Sequence, residues 1–125
     1  MEKPNAVTVA WYTDAVPTDP RAVKGQMFGH PCAFVNGNMF FGTFAQSLVI
    51  RVGEARAAAL AAQPPYTIFE PMEGRLWKEY LRVELGAIPD NTLAALAREA
   101  LDHTAGLPGK VKKPPGKKAA GAKKG

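Results

Sequence analysis

MFGHPCAFVNGNMFFGTFAQSLVIRVG, residues 27–53, is the stretch that decides the fold. Cys32, Ala33, Phe34 and Val35 run into Asn36-Gly37, and Asn38, Met39, Phe40 and Phe41 run out of it. Asn-Gly between apolar runs is a strong hairpin signal, because both residues accept the positive φ that a type I′ turn requires. The turn is therefore placed at Asn36-Gly37. Gly42 and the polar pair Gln46-Ser47 interrupt the pattern, and the β-branched run Leu48, Val49, Ile50, Arg51, Val52 is expected to be the next strand. Residues 23–28 read as a further strand ahead of the hairpin.

Working outward, residues 80–85 alternate Leu81, Val83 and Leu85 against Tyr80, Arg82 and Glu84, the period of a half-buried strand. Pro89-Asp90-Asn91 is followed by Leu93, Leu96, Ala97, Ala100, Leu101 and Thr104 at helical spacing. Asp90 or Asn91 serves as the expected N-cap and Gly106 as the stop. Residues 54–62 are alanine-rich and end before Gln63-Pro64-Pro65, which predicts a short middle helix. The N-terminal segment is ambiguous. Val7, Val9 and Trp11 alternate like a strand, while Val7, Ala10, Trp11 and Ala15 trace one helical face between Pro4 and Pro17; propensity alone prefers the strand.

The order Lys24, Gly25, Met27-Phe28-Gly29, then Asn36-Gly37-Asn38-Met39-Phe40, then Arg51-Val52-Gly53 resembles the TfoX N-terminal domain family (TfoX/Sxy). The resemblance extends more loosely through Gly74-Arg75 and residues 80–85 to the last helix, over roughly residues 5–105. Two positions depart from the family pattern: His30-Pro31 stands where members carry a second glycine, and Leu76-Trp77 where they carry a methionine. The family places a helix before its Met-Phe-Gly segment, so the resemblance resolves the N-terminus as helix. The fold expected is α+β, a small antiparallel sheet of four or five strands with N-terminal, middle and C-terminal helices packed on it, in the order α-β-β-β-β-α-β-α. The best-known relatives regulate competence and transcription as co-regulators. The resemblance therefore implies a bacterial, non-enzymatic regulatory or interaction module, with one folded domain over residues 1–106.

Charge is spread unevenly. Residues 110–125 hold seven lysines (Lys110, Lys112, Lys113, Lys117, Lys118, Lys123, Lys124) and no acid, so of the 16 basic residues only nine remain to face 11 acidic ones in residues 1–109. A weakly acidic body thus carries a strongly basic tail. Lys, Pro, Gly and Ala dominate residues 107–125, a composition that cannot bury enough surface to offset ordering entropy, and disorder is expected there. Its partner by charge is DNA or another polyanion, bound without sequence preference. No apolar run approaches the roughly 20 residues of a membrane span, and residues 1–5 lack the pattern of a signal peptide. The expectation is a cytoplasmic protein with no membrane contact.

Chemistry is sparse. Cys32 and His30 are two residues apart, so on a strand they share a face, and a thiol beside an imidazole is a nucleophile with its base. A small enzyme or ligand-binding domain using a pocket between sheet and helices is the alternative this pair supports. Against it, Pro31 and the apolar run after Cys32 suit a buried thiol. His103 is expected to face solvent near the end of the last helix. One cysteine and two histidines offer no zinc spacing, and the glycines match no phosphate loop, so no metal and no cofactor are expected. Phe40 and Phe41 are adjacent, so on a regular strand they face opposite sides, and one of them lies exposed at a dimer surface or under a helix. Glu73 to Glu79 reads as a loop whose Trp77 packs over the sheet edge or anchors a partner. Trp77, Arg75 and Phe41 are the candidate interface residues, for a protein partner or a homodimer.

Overall fold

The computed structural model describes residues 3–27 and 29–107. The elements are α1 (Ala6–Ala15), β1 (Val23–Met27), β2 (His30–Val35), β3 (Asn38–Phe44), β4 (Ser47–Arg51), α2 (Glu54–Ala61), β5 (Thr67–Met72), β6 (Arg75–Glu84) and α3 (Asp90–Ala105). The class is α+β as expected, but the sheet has six antiparallel strands in the order β1-β2-β3-β4-β6-β5 rather than four or five. The additional strand is β5. Residues 66–72 look poor as a strand because Pro71 withholds an amide and Met72-Glu73-Gly74 turns immediately afterwards. Their place at the edge removes the objection, since an outer strand can leave one side of its amides unpaired. The segment read as a loop is consequently a hairpin: Gly74 turns the chain at φ +83°, and Arg75 to Glu79 already belong to β6.

The β2–β3 turn is where the sequence puts it, with Asn36 at φ 52° and Gly37 at φ 81°. Gly42 does not break β3. It pairs with Cys32, and a Cβ at Gly42 would lie 2.7 Å from the Cys32 sulfur, so glycine is what lets the two strands close over the thiol. One residue of β3 is extra: Ala33 pairs with Phe41 and Phe34 with Met39, which leaves Phe40 as a bulge. A bulge breaks the two-residue alternation. Phe40 and Phe41 therefore both enter the main core at 0% exposure, and neither is an exposed aromatic. Phe41 lies beneath α1, stacked on Tyr12 at 5.4 Å.

Helix α1 forms from strand-prone residues because a local cap starts it and one face is held by other parts of the chain. Asn5 caps it, accepting from the Thr8 amide at 2.9 Å. The buried face is Thr8, Trp11, Tyr12 and Ala15, rotated from the expected one, and Val7 is 63% exposed. Thr8 is tolerated in the interior because its hydroxyl reaches Gln46 Oε1 at 2.7 Å in the β3–β4 turn. The Trp11 indole donates to Asp90 Oδ1 at 3.1 Å, joining α1 to the start of α3. Asp90 is thus the first residue of α3 rather than its N-cap, which is Pro89. The predicted face of α3, from Leu93 to Thr104, is buried in full and Gly106 ends the helix.

The buried helical side chains gather with Ala33, Val35, Leu48, Ile50, Leu81 and Val83 in one core on one side of the sheet. A second, smaller cluster, Cys32, Met39, Val49 and Phe69, lies on the other side, and no helical residue belongs to it. Among the described residues, therefore, helices cover one face of the sheet and leave the other open.

Candidate functional site on the open face of the sheet

Strand parity sends Cys32, Phe34 and Val49 away from the helices, because Ala33, Val35, Leu48 and Ile50 point toward them. Cys32 and His30 do share a face, as their spacing requires. That face is the open one, so the pocket between sheet and helices expected for them is not where they lie; the space under the helices is filled by the main core.

Aromatic rings line up across the open face. His30 stacks on Phe44 at 5.7 Å, Phe44 meets Phe69 edge-on at 4.9 Å, Phe69 meets Trp77 at 5.3 Å, and Trp77 meets Tyr80 at 5.3 Å. Phe44 is on β3 and Phe69 on β5, with β4 and β6 between them. In a flat sheet those strands would stand about 14 Å apart. Their ring contact means that the sheet curls, with the open face on the inside of the curl.

The curl creates a cleft of about 270 Å³ into which Met27, His30, Phe44, Phe69, Met72, Arg75 and Trp77 project. His30 and Phe69, each 2% exposed, form its floor, whereas Met72 at 64% exposure and the exposed Arg75 stand at its rim. A shallower hollow of about 170 Å³ continues past Trp77 and Met27 toward Phe34, Arg51 and Tyr80. Trp77 is thus neither a loop residue nor an edge cover. It is the ridge between two hollows.

Arg51, Val52 and Gly53 of the family motif brace the far end of this face. The Arg51 guanidinium lies 5.4 Å from the Tyr80 ring centre and holds the Glu79 carboxylate at 3.2 and 3.3 Å. Val52 and Gly53 donate their amides to the Glu79 carbonyl at 3.0 and 3.1 Å. Gly53 sits at φ +96° at the start of α2, and the His103 ring packs where its side chain would be. His103 is accordingly half-buried, with its Nε2 3.8 Å from Glu79 Oε1, not a freely solvated residue. Met39 and Phe40 are core residues, Asn36 and Gly37 form the turn, Asn38 opens β3, Gly29 turns β1 into β2 at φ 80°, and Met27 reaches the cleft. Phe28 and the seven tail lysines lie outside the described residues.

The thiol is poorly suited to attack. Cys32 is 1% exposed and burial pushes its pKa up to about 11, while burial followed by the charge of Lys3 lowers that of His30. Among the described residues no three His, Cys, Asp or Glu side chains group as metal ligands. Burial likewise raises Tyr12 to about 12. Both groups are neutral when protonated and their folded pKa values are raised, so their contribution is intact below pH 9 and is lost as pH climbs toward 12. We expect urea-unfolding stability to fall over that window by up to about 3 kcal/mol per group. The Cys32 thiol should resist a thiol reagent at pH 8 until the protein unfolds. A flat alkaline profile together with rapid native labelling would contradict this burial.

The open face, its motif-braced end and the strand order before α3 all fall within the part of the chain, residues 20–104, that matches the TfoX N-terminal domain. The chain belongs to the TfoX N-terminal domain family. Helix α1 precedes the region of the TfoX match, yet it supplies Trp11, Tyr12 and Ala15 to the same core. No curated protein and no solved structure matches the chain. Among the described residues of this TfoX domain no helix is long and apolar enough to cross a membrane. The aromatic line was missed by sequence reasoning. Its one signal is that Trp77 falls in the Glu73 to Glu79 segment read as a loop, and Phe44 between Gly42 and the polar pair Gln46-Ser47.

Proposed function

We propose that the chain is a non-enzymatic regulatory interaction module, a co-regulator of transcription or competence. It recognises a partner through the open face and touches nucleic acid nonspecifically through its tail lysines. The observation that carries this reading is the concave, aromatic, helix-free face, where Phe44, Phe69 and Trp77 surround an unfilled cleft. Aromatic side chains with an arginine at a rim are the composition of binding hot spots. The competing reading, an enzyme built on Cys32 and His30, has against it a thiol buried at 1% exposure with a pKa near 11.

The two halves are separable by experiment. Seven tail lysines give a log-log salt slope of at most about −6 for duplex DNA, shallower if fewer reach phosphates. Titration of the full chain across a salt series is expected to show such binding with random and mixed sequences alike. Replacement of all seven lysines by glutamine should abolish it, whereas Met72→Glu on the cleft rim should leave it unchanged. The reverse pattern is expected for a protein partner captured by the full chain: lost with Met72→Glu, kept with the glutamine tail. No DNA binding near physiological salt would remove the nucleic-acid half of the reading.

A further inference from the structure

Six arginines occur in the chain, and five are held by carboxylates: Arg21 by Asp19 and Asp102, Arg51 by Glu79, Arg56 by Glu99, Arg82 by Glu84 and Arg98 by Asp19. Arg75 is the exception; among the described residues it has no carboxylate partner. It is also the arginine that stands at the rim of the 270 Å³ cleft. Beneath it Phe44 and Trp77 are the walls, and the floor holds Phe69 and His30, whose burial lowers the pKa of its imidazole. An apolar chamber with an arginine at its mouth that no carboxylate holds is complementary to a molecule with an apolar body and one anionic end.

We propose that this cleft binds a small amphiphilic carboxylate, its apolar body between Phe44, Phe69 and Trp77 and its carboxylate against the Arg75 guanidinium. The assignment deepens the recognition-face reading and rests on it. Size limits the body: a cavity of roughly 150 Å³ takes a benzene ring, so this cleft takes a fused bicyclic ring or a medium-length alkyl chain. Charge limits the head. Arg51 and Arg82, the other arginines on this face, are already matched by Glu79 and Glu84, so the cleft offers one unmatched guanidinium to a monoanion and not a row of them to a nucleic-acid strand. Guanidinium is suited to the task because its planar donors meet both carboxylate oxygens at once.

The test uses the full chain, with 2-naphthoate as the charged probe and 2-naphthamide as its neutral counterpart, followed by calorimetry and by the indole N–H resonance of Trp77. One 2-naphthoate per chain is expected to bind and shift that resonance, with 2-naphthamide about tenfold weaker. Arg75→Gln should weaken 2-naphthoate about tenfold and spare 2-naphthamide. Met72→Glu should do the same, because Met72 pairs with Arg75 across the β5–β6 hairpin and a carboxylate there would occupy the guanidinium. Both positions are exposed, so neither variant threatens the fold. Equal affinity for the two probes, or no saturable binding of either, overturns the assignment. The recognition-face reading then still stands if Met72→Glu loses the captured protein partner, and falls with it if capture is unchanged.

Discussion

Alanine at Phe40 and alanine at Phe41 are each expected to cost about 3–5 kcal/mol, and by similar amounts. On a regular strand these neighbours would face opposite sides, and one would be cheap to remove. The shift in pairing between Ala33 and Phe34 makes Phe40 the extra residue of a bulge, and both rings are fully buried on the helix side. Phe41 would lose its stack on Tyr12 as well as its packing. Urea unfolding of the two single variants decides the matter. If one of them lost less than about 1 kcal/mol, a typical surface-like effect, the bulge would be absent and β3 regular.

Gly53→Ala is expected to destabilise by about 2–4 kcal/mol, from two sources that can be separated. Gly53 has φ +96° and ψ 156°, a region that side chains rarely enter, and an added Cβ would meet His103 Cε1 at 2.8 Å. His103→Ala in the same chain should remove the collision and leave the backbone term of about 1–3 kcal/mol. The control is Gly74→Ala at φ +83°, where a Cβ meets nothing within 4 Å. It should show a backbone cost alone, about 1–2 kcal/mol. A Gly53 variant no worse than the Gly74 variant would mean that His103 does not press on the start of α2. The pairing also explains why the Arg51-Val52-Gly53 motif reads as structure: it seats β6 through Glu79 and α3 through His103 at one corner of the fold.

The amino-acid sequence determined what depends on near neighbours. Asn36-Gly37 specifies a turn by its own backbone freedom, Leu93 to Thr104 specify a helix by spacing, and parity along β2 puts Cys32 and His30 on one side. Features that depend on partners distant in the chain were decided by tertiary structure. Helix α1, started by its local Asn5 cap, wins over strand because Gln46 and Asp90 satisfy its buried threonine and its tryptophan. β5 forms because the outer side of β6 was free to receive a strand containing Pro71. The bulge at Phe40 reflects the fit of two strands to each other and leaves no mark in either alone. The cleft belongs to the same group: Phe44 and Phe69 are separated by two strands and meet only because the sheet curls. Twist and curl accumulate from strand to strand across the assembled six-stranded sheet. Local pattern therefore names the strands and their faces, while the space between them exists only once the whole sheet is assembled.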